Sequence, residues 1–322
     1  MTLKRFLAAL IAPLLAVPLT ALASTFPDRP ITLMHGFGAG GNADVVSRIV
    51  AEGLARELGQ PVVVTARTGA GGNIASAHVA TQPADGYTLI LMTGGHAVSA
   101  AMYRSLAFDP VRSFEWLSVV TQFPFVLAVK ADNPMRTAAD VIAAARARPG
   151  QVSFSSVGVG STQHLSGELL QSMAGVQLNH IPYRGGAAPL QDVLGGNVDM
   201  MFDSVTVTRS QIEAGNLHAI GVTSPAPWPT LPNVPPLGAT VPGYSVMSWL
   251  GVAAPRGLPP AIATRLHGAL VKVLGDAEVV KRLEATGGAV RPSASGAEME
   301  TFVAGQVQTW QRVVREAGIP QR

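Results

Sequence analysis

The 322-residue chain contains no cysteine. That absence excludes disulfides, a thiol nucleophile, thiolate metal ligation and a lipid attached through cysteine. Charge is also scarce: Asp, Glu, Lys and Arg together make up 13% of the residues, and aromatics only 6%. No basic cluster offers a footprint for nucleic acid, so no nucleic-acid partner is expected. Beyond the N-terminus, no stretch approaches the ~20 apolar residues that a membrane span requires. Enzyme signatures are missing too. There is no G-x-S-x-G elbow, no H-E-x-x-H, no Walker lysine and no H-x-x-x-H pair, and the seven histidines are scattered. The expectation is a protein without cofactor, metal or catalytic set.

What is present begins with an export signal. Lys4 and Arg5 form a basic start, Phe6 to Leu19 an apolar stretch, and Ala21-Leu22-Ala23 a small-x-small cleavage pattern. Residues 1–23 are therefore expected to be removed, with Ser24 as the new N-terminus and the periplasm as destination. Removal takes two of the 23 basic residues and none of the 20 acidic ones, leaving near-neutrality despite a whole-chain pI of 9.5. At 48% apolar, the remainder can fill two cores of ordinary size without covalent staples.

Strands and helices alternate, which favours α/β layering. ITLMH (31–35) reads as a strand, and Asn42 to Leu58 as a helix with Val46, Val50, Leu54 and Leu58 on one face. PVVVTA (61–66) and YTLILM (87–92) are strands around a helix at about Ile74 to Ala80. FVLAVK (125–130), VSFSS (152–156), LNHIPY, DMMFDS and HAIGVTS read as further strands. Thr137, with Asp140 three later, starts a helix that Pro149-Gly150 ends. Seven prolines between 224 and 243 make a rigid extended excursion. After SWLGVAAP (248–255) the chain turns helical, with Asp276 as one cap and Ser295–Glu298 as a capping box. A helical tail after a second α/β unit implies that the chain crosses to another domain near residue 123 and returns near 247. The expected domains are 24–122 with 247–322, and 123–246, joined by a two-strand hinge.

Two stretches share one shape, a strand entering a glycine-rich turn that opens into a helix: ITLMHGFGAGGNADVVSRIV (31–50) and VSFSSVGVGSTQHLSGELL (152–170). Bare N–H groups at a helix start, reinforced by the helix dipole, hold anions without any basic side chain. GFGAGG (36–41) also matches the dinucleotide pattern, but no acid follows the second strand, which ends Thr65-Ala66-Arg67. GAGGN recurs at 69–73, where it reads as a structural turn supporting the site. Ser161 or Thr162 caps the second helix or donates to a ligand carboxylate; His164 alone reads as structural. Asp44 cannot welcome an anion; it caps its helix, positions Asn42, or accepts from a ligand ammonium or hydroxyl. Phe37 is the aromatic expected in a cleft, while the four tryptophans read as packing. Of Asp199 and Asp203, one is expected to be buried beside a turn.

FGAGGNADVVSR, GAGGN with PADGYTL, MYRSLAFDPVRSFEWLSVV, ARARPGQVSFSSVGVGSTQHLSGELL, HIPYRGGAAPLQDVLGGNVDMMFD, GYSVMSWLGVAAPRGLP and WQRVVREAGIP together resemble the Bug-type extracytoplasmic solute receptors of tripartite tricarboxylate transporters. The resemblance runs through the whole chain after the signal. It implies a type II periplasmic-binding-protein fold closing on a small organic acid, delivery to membrane permease subunits, and a monomer. A sensor without its own permease, or an exported enzyme acting on a small acid, are the alternatives. Carried over residue by residue, the resemblance places the first grip on Phe37, Ala39, Gly40, Gly41, Asn42 and Asp44. The second grip falls on Gly160, Ser161, Thr162 and His164, with His96 and Asp203 near the cleft. Departures from the family pattern occur at Gly36, Ala66, Thr68 and Gly94-Gly95. The last pair removes hydroxyls expected to face the cleft.

Overall fold

The computed structural model describes residues 26–322; the proposed export signal and cleavage point lie outside the described residues. The chain begins with β1 (Ile31–His35), α1 (Asn42–Leu58), β2 (Val62–Ala66), α2 (Asn73–Val79), β3 (Thr88–Thr93) and α3 (Gly95–Met102). β4 (Phe114–Lys130) is the longest strand at 17 residues. The next stretch carries α4 (Ala138–Ala147), β5 (Ser153–Ser156), α5 (Thr162–Ala174), β6 (Asn179–Pro182) and α6 (Ala188–Leu194). β7 (Met200–Ser204), α7 (Val205–Glu213) and β8 (Leu217–Val222) follow. β9 (Met247–Pro255), α8 (Pro260–Gly275), α9 (Ala277–Ala285), β10 (Ala289–Val290) and α10 (Gly296–Glu316) complete it. Among the described residues, no helix is long and apolar enough to cross a membrane.

The strands form one hydrogen-bonded path in the order β2-β1-β3-β9-β4-β7-β5-β6, with β8 and β10 also paired to β4. β4 belongs to two sheets. Phe114 to Pro124 pair antiparallel with β9, whereas Phe125 to Val129 pair with β7 and Val126 to Lys130 with β8. The partners change between Pro124 and Phe125, so each end of β4 serves one α/β lobe. Thr223 locks that junction. Its buried Oγ1 accepts from the Phe125 N–H at 2.8 Å and donates to the Val246 carbonyl at 2.6 Å, tying β4 to the segment that enters β9.

Local chemistry explains the helix ends. Thr137 and Asp140 make a complete capping box on α4, and Asp276 accepts from the N–H groups of Glu278 and Val279 at the start of α9. At α10 the Ser295 side chain caps Glu298 as expected. The Glu298 carboxylate, however, reaches back one residue further, to the Ala294 N–H at 2.6 Å. Gly59 and Gly175 close α1 and α5 in the left-handed conformation that glycine adopts at little cost. The proline-rich excursion packs through Trp228, whose indole N–H donates to the Gly287 carbonyl of the first lobe at 2.7 Å.

Candidate functional site

β1, β5 and β7 all end at the same edge, and each runs into a helix start. The first two turns correspond position by position. Gly40 and Gly160 have φ of 79° and 81°, a region that favours glycine, and each is followed by the helix N-cap, Gly41 or Ser161. Three residues beyond each cap, a side chain folds back onto that glycine. Asp44 accepts the Gly40 N–H at 3.0 Å, and His164 Nδ1 accepts the Gly160 N–H at 3.3 Å. Each brace is itself held. Asp44 receives His35 Nε2 at 3.4 Å and Arg48 at 2.9 Å, while His164 Nε2 donates to Glu168 at 3.1 Å. Burial opposes the charge on Asp44, but the Gly40 N–H and the Arg48 guanidinium outweigh it and keep the carboxyl below its usual range. Burial pushes His35 down despite Asp44, and its Nδ1 accepts the Phe37 N–H at 3.4 Å.

Between these turns lies a small, partly open cavity. Gly41, Asn42 and Ala43 line it from one lobe, and Thr162, Gln163, Asp203 and Ser204 from the other. Phe37, Phe123, Phe125, Val157 and Leu250 supply apolar wall, and Thr93 and Ser248 add hydroxyls. The N–H groups of Asn42 and Ala43, and of Thr162 and Gln163, have no acceptor among the described residues. They are the orphan donors of two helix starts, facing one space. Among the described residues, no Lys, Arg or His lines the cavity. An anion seated there would be held by main-chain donors and helix dipoles, each charge-assisted bond being about twice as strong as a neutral one.

The lobes meet around this space. Gly38 forms a parallel bridge to Gly185, its N–H donating to the Arg184 carbonyl at 3.2 Å. Thr206 at the start of α7 donates to Asn42 Oδ1 at 2.7 Å. Ser99 on α3 and Tyr103 just after it donate to the carbonyls of Gly160 and Val159 at 3.1 and 3.2 Å.

The residues expected at the site divide by position. Phe37, Gly41, Asn42, Thr162 and Asp203 line the cavity. Ala39 and Gly40 sit at the exposed tip of the first turn. Asp44 and His164 are the buried braces behind their turns, and Gly160 is buried at the lobe contact. Ser161 Oγ is spent on the fold, donating to the Gly158 carbonyl at 2.6 Å and capping the His164 N–H at 3.2 Å. His96 borders a smaller cavity behind Phe37, within an aromatic cluster of Phe108, Phe114 and Trp116. There burial pushes it down to about 4, and Nε2 donates to the Pro110 carbonyl at 2.7 Å. Asp203 is the buried aspartate of its pair. Asp199 instead accepts from the N–H and hydroxyl of Ser153, both at 2.7 Å. Gln163, Gly186, Ser204, Ser248 and Phe123 were not anticipated. A signal existed for one of them, since the Gly185-Gly186 pair comes two residues after a strand, in a turn that opens into a helix as the first turn does.

Fold and cavity fit a two-lobed solute-binding protein, and comparison with known proteins agrees. Residues 46–319 match the family described as "Tripartite tricarboxylate transporter family receptor", and the chain belongs to that family. The periplasmic binding protein BugD superposes with a TM-score of 0.88 at 32% identity, covering 92% of this chain and all of that one. An R. palustris protein solved with adipate gives 0.88 at 36% identity, with the same coverage. MatC from Rhodopseudomonas palustris, solved with bound malate, gives 0.86 at 29% identity over 90% of this chain and all of its own. The fold is therefore that of two-domain periplasmic binding proteins, and the Bug-type resemblance seen in the sequence holds.

Proposed function

We propose that this protein is a periplasmic receptor that captures a small organic carboxylate between its lobes and delivers it to the membrane subunits of a tripartite tricarboxylate-type transporter. One observation carries the reading. Among the described residues, four main-chain N–H groups without an acceptor, two from each lobe, belong to helix-start residues that line a single cavity with no basic side chain. Adipate and malate in two structural neighbours support the ligand class. The N-terminal sequence and the family support export, with residues 1–23 as the signal. Residues 24–122 with 247–322 form the first domain and 123–246 the second, and the chain acts as a monomer. Capture requires opening at the two crossings, where Phe123 pairs with Ser248 and Pro124 with Met247.

Thermal melting against a carboxylate library tests this reading. A matching acid at ~100 times its Kd stabilises by about 2.7 kcal/mol, a shift of several degrees. No shift with any acid, together with a shift for an amine or a sugar, overturns the reading.

A further inference from the structure

A cavity built for an anion carries an acid in its own wall. Asp203, at the junction of β7 and α7, is 4% exposed and faces the space that the orphan N–H groups face. Its Oδ1 is committed, and the Gln163 side chain approaches the carboxyl as a further donor. Oδ1 accepts the Ser204 N–H at 2.7 Å and the Ser204 hydroxyl at 3.3 Å.

Among the described residues, no cation pairs with this carboxyl. The cavity residues from α1, β3, β4, α5 and β9 include no other titratable side chain. Titratable groups on the packed elements are engaged elsewhere. Asp44 is tied to Gly40 and Arg48, His164 to Gly160 and Glu168, and His180 on β6 to the Ser156 hydroxyl. Arg209 on α7 pairs with Glu213, Lys130 on β4 with Asp132, and His218 on β8 bonds the Arg136 carbonyl. A ligand carboxylate and an ionised Asp203 would thus repel each other in one poorly solvated space. Paired carboxyls in such surroundings share a proton instead.

We propose that Asp203 determines which solutes the cavity accepts, presenting a carboxyl O–H at Oδ2 as a hydrogen-bond donor to a carboxylate oxygen of the ligand. The inference rests on the carboxylate-receptor reading above. Above neutrality, a proton from solvent joins Asp203 as the acid enters; below it, the proton is already in place. No bond of the ligand breaks. Burial, partly opposed by hydrogen bonds from Ser204 and Gln163, raises this carboxyl to about 7. Affinity should then be nearly flat at acid pH and fall about tenfold per pH unit above neutrality, because a proton must be supplied for each ligand bound.

Isothermal titration with adipate and with malate, at pH 6 and pH 8 in two buffers of different ionisation enthalpy, tests the proposal. The expected result is binding about tenfold weaker at pH 8, with close to one proton taken up per acid at pH 8 and little at pH 6. Asp203→Asn should abolish that pH dependence. Wild-type affinity equal at both pH values, with no proton uptake, overturns the proposal. It is also overturned if aspartate binds better than malate at pH 8 and Asp203→Asn removes the preference, since the carboxyl would then be holding an ammonium as an anion. Carbon-13 carboxyl titration of the ligand-free protein needs neither a bound acid nor a folded variant for binding. A buried aspartate titrating near 7 supports the proposal, and all aspartates ionised at pH 5 refute it. Failure of every acid to bind at either pH counts against the receptor reading instead.

Discussion

Gly71 lies in the second GAGG turn, with φ 63° and ψ 21°, and it packs against the turn that opens α5 in the other lobe. A Cβ at this position would stand 2.7 Å from the Val159 carbonyl oxygen and 3.2 Å from Gly160 C and Ser161 N. All three are backbone atoms, so no side chain can swing aside. Gly71→Ala therefore carries two costs that belong to different states. Left-handed strain of ~1–2 kcal/mol acts in every folded form and lowers the melting temperature by a few degrees. The wedge, about 1–3 kcal/mol by analogy with overpacked cores, acts only when the lobes are closed. If ligand binds the closed form, Kd should weaken roughly 5- to 150-fold. Gly40→Ala is the matched control, because it has φ of 79° with nothing within 4 Å of the added atom. It should destabilise similarly and leave affinity nearly unchanged. Calorimetric titration with the acid found by the melting screen reads affinity, and small-angle scattering of the saturated proteins reads closure. Unaltered affinity and full compaction in Gly71→Ala would refute the reasoning.

Thr223→Val keeps the shape of the hinge lock but strands the Phe125 N–H and the Val246 carbonyl; urea unfolding should show a loss of ~2–4 kcal/mol with an unchanged slope. Ser161→Ala removes the cap of α5 and should cost ~1 kcal/mol of stability. Because its hydroxyl is committed to Gly158 and His164, acid affinity should change less than threefold. Stability should also fall at low pH. His96 and His180, lowered by burial to about 4 and about 3, are favoured neutral in the fold, so their contribution is lost as pH falls below 6.5. Melting from pH 8 to pH 4 measures this, and His96 alone accounts for roughly 3 kcal/mol by its displacement. Asp203 acts in the opposite sense: burial raises it, so its cost grows as pH rises from about 4 to about 7. Asp203→Asn should accordingly melt higher than the wild type at pH 8 and lose that advantage near pH 4.

The elements nearest the site were legible because glycine and capping residues punctuate them. α1 runs from Asn42 to Leu58 as its apolar spacing predicts, and Thr137 and Asp140 cap α4 as read. Other elements were hidden by tertiary effects. VTVTRSQIE is rich in β-branched residues, which favour strands in isolation, yet it folds as α7, where Val205 and Val207 are buried. Phe114 to Gln122 carry no alternation, since both faces of that half of β4 are covered, so only FVLAVK was read as strand. At the site, the sequence could identify residues that belong to the turns but not which way each side chain points. Asp44 and His164 occupy ligand-like positions and turn backward onto glycine N–H groups. Ser248, Thr93 and Leu250 reach the cavity only because β3 and β9 pair antiparallel, a contact between segments more than 150 residues apart.

The central claim is that both lobes supply main-chain donors to the same ligand, and amide NMR during titration with a bound acid tests it most directly. The ¹H–¹⁵N signals of Asn42, Ala43, Thr162 and Gln163 should move downfield together, along one saturation curve, and become protected from exchange. Movement confined to one helix start, or an acid that saturates the protein while these four amides keep their free-state shifts, would contradict it.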